Sequence, residues 1–314
     1  MSVIGTARRR VFGIAEPRKV FRRPGFSPDA WSQFGPVIEA LAAGYNASLE
    51  DASLPALVPK LEAMDPVLHG FAYEGAAMGL AVLDILAPGK RRIAEFVNGP
   101  GSHHPATIYV GAGMALARLR RRPERYVGRI DHVLGWAVVD GVGFHEGFFF
   151  RQRSIIQQQL PGYLSHTGRE LFDQGLGRSL WFSSAANVSA VEDTIKAFPS
   201  ERHPGLWQGA AIACSFAGGT NRAGMEQMRR AAEPHHDRLA WAGATAAWTR
   251  DTGRNPTPHT QQACELFAKA STAEAFAILE RTRRELKGVP SADYRTWREA
   301  CVSEIQSGAA RQST

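Results

Sequence analysis

A glycine-centred block recurs along this 314-residue chain, and no other feature limits its fold so strongly. Aligned on glycine, the copies read Glu74-Gly75-Ala76-Ala77, Val110-Gly111-Ala112-Gly113, Asp140-Gly141-Val142-Gly143, Gln174-Gly175-Leu176-Gly177, Gln208-Gly209-Ala210-Ala211 and Ala242-Gly243-Ala244-Thr245, with spacings of 36, 30, 34, 34 and 34. An aromatic residue stands a few positions before each glycine: Tyr73, Tyr109, Trp136, Phe172, Trp207 and Trp241. A period near 34 is the length of two helices and their turns. Candidate partner helices lie between the blocks at 55–64, 90–97, 154–164, 191–198 and 224–232, and the turn residues Pro88-Gly89, Gly99-Pro100-Gly101 and Pro204-Gly205 fall between helices. Strand signals are thin. The pattern predicts an all-α fold of stacked helical hairpins, about six repeats in a solenoid-like or curled α/α array.

Glycine within a helix costs about 1 kcal/mol relative to alanine, so its repeated placement demands an offsetting gain, and close helix approach supplies one. Packing is the expected role of these glycines. Beyond the last block, 260–269 and 272–287 read as two amphipathic helices that close the stack. The organisation expected is a basic arm over 1–33, one helical-repeat domain over 34–306 and a disordered polar tail over 307–314.

The composition, 44% hydrophobic and 21% charged, suits a folded domain and excludes a disordered or fibrous chain. The longest apolar stretch, 71–87, is interrupted by Glu74 and Asp84, so no membrane-spanning helix is expected. Cys214, Cys264 and Cys301 fit neither a thiolate metal site nor a paired disulfide framework, which points to a reducing cytoplasm. Arg9-Arg10-Val11-Phe12 has the look of a twin-arginine export signal, but the residues that follow are too polar for one. Of the net charge of +7, all but one unit sits in residues 1–23, which hold seven cations against Glu16. The near-neutral body argues against nucleic acid as a partner, and the arm suits a protein surface. The six arginines from Arg118 to Arg129 read as a solvated face.

Superposed repeats bring the residue before each glycine into one row: Glu74, Val110, Asp140, Gln174, Gln208 and Ala242. One helical turn later the same face carries Met78, Met114, Phe144, Arg178, Ile212 and Ala246. Sparse polar groups on an apolar wall describe a ligand pocket. Its charged members Glu74, Asp140 and Arg178 require partners or a function, because unpaired burial costs several kcal/mol each. His145 beside Glu146 offers proton transfer. Interhelical hydrogen bonding is the competing role for that pair. Glu74, Asp140, Glu146, Arg178 and His145 are thus the candidate catalytic residues; Gln174, Gln208, Met78, Met114, Phe144 and His104, near the mouth of the row, are candidate substrate contacts.

A zinc helix needs a second histidine at i+4, and a di-iron bundle a Glu-x-x-His pair; neither is present, so no metal site is assigned and the residues name no cofactor. The stretch 172–182 lacks the strand and the Gly-Lys-Ser/Thr ending of a phosphate loop.

Arg8 to Gly13, Gly25-Phe26, Phe71 to Met78, Val110 to Leu119, Asp140 to Gly147 and Phe172 to Phe182, continued in Trp207 to Gly219 and His259 to Cys264, together resemble the UnbL family of enediyne biosynthesis proteins. The likeness spans nearly the whole chain. It implies a part in antibiotic biosynthesis beside an iterative enediyne polyketide synthase, a thioesterase and two accessory proteins, one of them a membrane protein. Together these convert a linear polyene into the alkyne-bearing precursor. The family is one of unknown function, so no catalytic residue carries over from it. The expected activity is binding a linear polyene or polyyne and assisting its conversion by His/Glu proton transfer. The rival expectation is a non-catalytic helical scaffold that docks the synthase or the membrane partner.

Overall fold

In a computed structural model, residues 3–87, 89–289 and 291–312 are described, and their regular elements are helices, with no strand among them. Pro88, in one of the expected turns, and residues 313–314 of the expected tail lie outside them. The first part runs α1 (Val3–Phe12), α2 (Ala30–Glu50), α3 (Leu54–Glu62), α4 (His69–Leu86), α5 (Arg92–Asn98) and α6 (Pro105–Arg118). The middle follows with α7 (Glu124–Val127), α8 (Ala137–Phe149), α9 (His166–Ser183), α10 (Val188–Lys196), α11 (His203–Ala217) and α12 (Arg222–Ala231). The chain closes with α13 (His236–Thr252), α14 (Pro258–Ala263), α15 (Thr272–Leu286) and α16 (Tyr294–Gln312). Starts are written locally: Ser165, Asn187, Asn221, Thr257 and Ser271 each accept a hydrogen bond from a backbone N–H of the first turn, and Ser271 with Glu274 completes a capping box.

The helices that carry the glycine blocks pack consecutively, α4 on α6, α6 on α8, α8 on α9, α9 on α11 and α11 on α13, and α2 precedes them against α4. Glycine sets how closely they approach. A Cβ placed at Gly111 would collide with the carbonyl oxygen of Glu74, at Gly141 with that of Val110, at Gly175 with that of Asp140 and at Gly209 with that of Gln174. The second glycine of each Gly-x-Gly faces the opposite neighbour: Gly113 meets the Val138 carbonyl, Gly143 that of Phe172 and Gly177 that of Leu206. Two positions along a helix turn roughly 200°, so one glycine admits the preceding helix and the other the following one. The contacts advance in the same direction on both partners, as Gly75 on Leu41 and Gly79 on Tyr45 show, so these neighbours run parallel. Short helices such as α3, α5, α10 and α12 return the chain between them.

The ends of this succession approach one another. Arg250 of α13 donates to Val67 O (2.7 Å), just ahead of α4, and to Phe216 O (2.5 Å), while Asn255 donates to Pro66 O (3.0 Å). Phe71 and Phe216 meet edge to face at 5.1 Å, and Phe34 of α2 reaches Phe182 of α9 at 4.7 Å.

Three segments differ from the sequence expectation. The partner helix expected over 154–164 is instead one π-helical turn, Gln152–Ile156, ended by Gln158 at positive φ (53°) and by Pro161-Gly162. Residues of the basic arm fold onto the body: Val20 and Phe21 are buried, and Phe21 packs against Trp31 and Phe148 at 5.4 and 5.6 Å. α2 begins at Ala30, inside the expected arm, and α16 runs over 307–312 of the expected tail. Among the described residues no helix is long and apolar enough to cross a membrane.

Candidate functional site

Each glycine–carbonyl contact pins a row residue of one helix to the glycine of the next, so the row positions come out adjacent in space. Their side chains form a polar ladder through the interior. Arg178 Nη1 lies 2.5 Å from Asp140 Oδ1, and its Nη2 lies 3.7 Å from Glu74 Oε2. Gln174 Nε2 donates to Asp140 Oδ2 at 2.5 Å, and Gln174 Oε1 accepts from Gln208 Nε2 and from the Tyr294 hydroxyl (3.2 Å). Trp241 Nε1 donates to Tyr294 (2.9 Å), and Arg238 donates to Gln208 Oε1 (3.3 Å). The Arg178 guanidinium also lies over the Phe144 ring at 5.1 Å.

Glu74 is the outlier of the ladder. It is 1% exposed, and its Oε2 makes no hydrogen bond among the described residues. Burial pushes its carboxyl up to about 7; Arg178 opposes the shift and Asp140 adds to it. One guanidinium thus serves two carboxyls, Asp140 at hydrogen-bonding distance and Glu74 beyond it. For Arg178, burial alone acts downward, but Asp140 and Glu74 outweigh it and hold the guanidinium above its ordinary value. A buried carboxyl titrating near neutrality beside a fixed cation can both give and take a proton at physiological pH.

A cavity of about 70 Å³ opens beside the ladder, with Asp140, Gln174, Arg178 and Tyr294 on its polar side and Phe71, Phe182 and Phe216 among its apolar walls. The half-buried Ala106, Ile212, Ala217 and Thr245 mark its mouth, and the Thr245 hydroxyl is buried with no hydrogen bond among the described residues. The volume is well below the roughly 300 Å³ at which small-molecule sites begin, so it admits the end of a slender chain rather than its length.

The wall crosses the row obliquely. On α4, α6 and α8 it is built three or four residues before the row position, from Phe71, Ala106, Thr107 and Ala137; on α9, α11 and α13 it is built four residues after, from Arg178, Ile212 and Ala246. For that reason Met78, Met114 and Phe144, the i+4 members of the earlier helices, are off the wall. Met78 and Met114 are core residues at 1% and 2% exposure, and Phe144 carries Arg178 while packing on Phe148 and Phe182. Gln208 and Glu74 join the ladder without lining the cavity, Glu74 being reached from it only past Arg178. His104 lies against the Tyr73 ring at 4.4 Å, also off the wall; burial, seconded by His69, pushes it down to about 4, so it is neutral at pH 7.

His145 and Glu146 lie apart from the ladder. They follow Asp140 by five and six positions, roughly 140° and 120° around the helix in opposite senses. His145 packs on Phe149 at 4.8 Å and Phe150 at 5.8 Å, its Nδ1 has no hydrogen-bond partner among the described residues, and burial together with Arg118 and Arg153 pushes it down to about 3. Glu146 is paired with Arg153 and accepts from Ser154 Oγ at 3.4 Å. Among the described residues no three His, Cys, Asp or Glu side chains are grouped to hold a metal ion. Tyr294 and Phe71 are site residues that the row does not indicate. Tyr294 comes from outside the repeats, and Phe71 precedes its glycine by four positions.

A family described as a protein of unknown function, DUF1702, matches residues 3–305. No curated protein and no solved structure matches the chain.

Proposed function

The chain belongs to the DUF1702 family, and on that premise we propose that it acts in enediyne antibiotic core biosynthesis, taking one end of a linear polyketide polyene or polyyne into the interior cavity and moving a proton through Glu74. The likeness to the UnbL proteins supports the pathway, and with it the enediyne synthase and its accessory proteins as partners. The observation that carries the chemistry is Glu74: a fully enclosed carboxyl whose Oε2 has no hydrogen bond among the described residues, raised to about 7, set behind Arg178, which together with Asp140 and Gln174 forms the polar edge of the cavity. We read the parallel helices and their outer return segments as a curled array of helical hairpins, with the ladder on its inner side.

The step needs no co-reactant. The ionised Glu74 takes a proton from an acidified carbon of the chain and becomes a neutral acid, while the electron pair left behind delocalises along the conjugated system. Return of that proton to another carbon restores the carboxylate and leaves an isomerised chain. Arg178 holds the charge on both sides of the transfer, and the phenylalanine walls exclude water from it. His145, neutral and enclosed by Phe149 and Phe150, and Glu146, held by Arg153, give packing rather than proton transfer.

The test is Glu74→Gln in a producing strain, with the level of folded protein followed in parallel. Product is expected to fall at least about a hundredfold, the usual worth of a positioned acid–base group, while Glu146→Gln leaves it within a few-fold. Wild-type output from folded Glu74→Gln refutes the proton-transfer role.

A further inference from the structure

On another face of α6, about 100° round the helix from Val110, a second hollow of about 530 Å³ lies between α5, the segment 129–133 and α15. Arg91, Arg129, Arg283, Arg284 and Lys287 line it against only two carboxylates, Asp131 and Glu280. Both carboxylates are engaged. Asp131 pairs with Arg283 at 3.0 Å and accepts from the backbone N–H groups of Val133 and Leu134 at 2.8 and 2.7 Å, and Glu280 accepts from Trp248 Nε1 at 2.6 Å. The side chains of Arg91, Arg129, Arg284 and Lys287 make no ion pair or hydrogen bond among the described residues.

Cations at the end of α15 are favoured by the helix C-terminus, which accounts for Arg284 and Lys287 but not for Arg91 and Arg129, brought from two other segments. A second observation points inward. Tyr109 of α6 is 6% exposed and lines the hollow, yet its hydroxyl has no hydrogen-bond partner among the described residues. Burial, with Asp131 next, pushes it up to about 12, so it remains a protonated donor. Val97, Ile130 and Val133 supply an apolar floor.

We infer that this hollow binds a phosphate-bearing small molecule, with the phosphate held by Arg91, Arg129, Arg284 and Lys287, the Tyr109 hydroxyl donating to it, and an apolar or aromatic body lying on Val97, Ile130 and Val133. A carboxylate brings a single charge and leaves most of the cations repelling one another, whereas a phosphomonoester carries close to two and three acceptor oxygens. The volume falls within the range of small-molecule sites.

The test titrates the full chain with phenyl phosphate, inorganic phosphate and benzoate, followed by calorimetry at physiological ionic strength. Phenyl phosphate is expected to bind one site, tighter than inorganic phosphate and at least about tenfold tighter than benzoate, a difference of about 1.4 kcal/mol. Arg129→Ala with Arg284→Ala, both exposed positions, abolishes saturable binding, and Tyr109→Phe weakens it several-fold. Lys19→Ala with Arg22→Ala removes the same charge from the arm and leaves binding unchanged. Benzoate matching phenyl phosphate, no saturable binding of either phosphate, or equal weakening by the arm variant overturns the assignment.

Discussion

Glu74 makes the stability of this protein depend on pH in a direction opposite to that of an ordinary paired carboxylate. Its ordinary value is 4.5, and in the folded chain it is about 7. Between those values the unfolded chain has released the proton and the folded chain still holds it. Folding therefore binds a proton there, and stability falls as pH rises through the window, with the loss complete above about 7. The separation amounts to roughly 3 kcal/mol, of which roughly 2 to 3 is lost between pH 5 and pH 8. Glu74→Gln keeps the shape and cannot ionise, so it removes the dependence. Other buried groups titrate in the same range: Asp173, raised by burial to about 6, acts in the same sense, and His104 and His145, both lowered, act in the opposite one. Comparing variant with wild type at each pH cancels them. Urea unfolding of both proteins near pH 5 and near pH 8 is the assay, and the variant should gain roughly 2 to 3 kcal/mol on wild type between the two. A difference that does not change with pH, or one that changes in the other direction, refutes the placement of a near-neutral carboxyl at this position.

Gly175→Ala drives a Cβ into the Asp140 carbonyl and within 2.5 Å of Phe144 N, so it should cost about 3 kcal/mol or more in urea unfolding, whereas Gly308→Ala, with open space around it, should stabilise by up to about 1 kcal/mol. Arg178→Ala leaves Asp140 and Glu74 buried without their cation and should lower stability by about 3 to 5 kcal/mol; adding Asp140→Asn and Glu74→Gln should recover part of that loss. Cys214, Cys264 and Cys301 are buried free thiols, all raised by burial, so a thiol reagent should label none of them before denaturation.

The glycine spacing made the central helices legible because the physical demand behind it is local and exclusive: where a neighbour's carbonyl occupies the place of a Cβ, only glycine fits. The same argument put Glu74, Asp140, Gln174 and Gln208 in one row, and the ladder they form follows from it. On α2 only the second position of the pair is glycine: Gly44 meets the Ala72 carbonyl as Gly113 meets that of Val138, while Ala42 stands one repeat before Gly75, so the block was not legible there. The oblique course of the cavity was not legible, since a repeat in sequence fixes which positions are equivalent but not how far successive helices shift against one another. Met78, Met114 and Phe144 fell off the wall for that reason. His145 and Glu146 drew attention as neighbours in sequence, yet their angular distance from Asp140 follows from helix geometry alone. Tyr294 carries no signal, because it reaches the ladder from a helix outside the repeats.

Infrared difference spectroscopy of carboxyl-labelled protein, with Glu74→Gln to assign the band, reads the state of this group directly. A protonated C=O stretch that titrates near pH 7 and moves when a linear polyene is added is what the account predicts. A Glu74 band that titrates near 4.5, or one indifferent to the polyene, contradicts it.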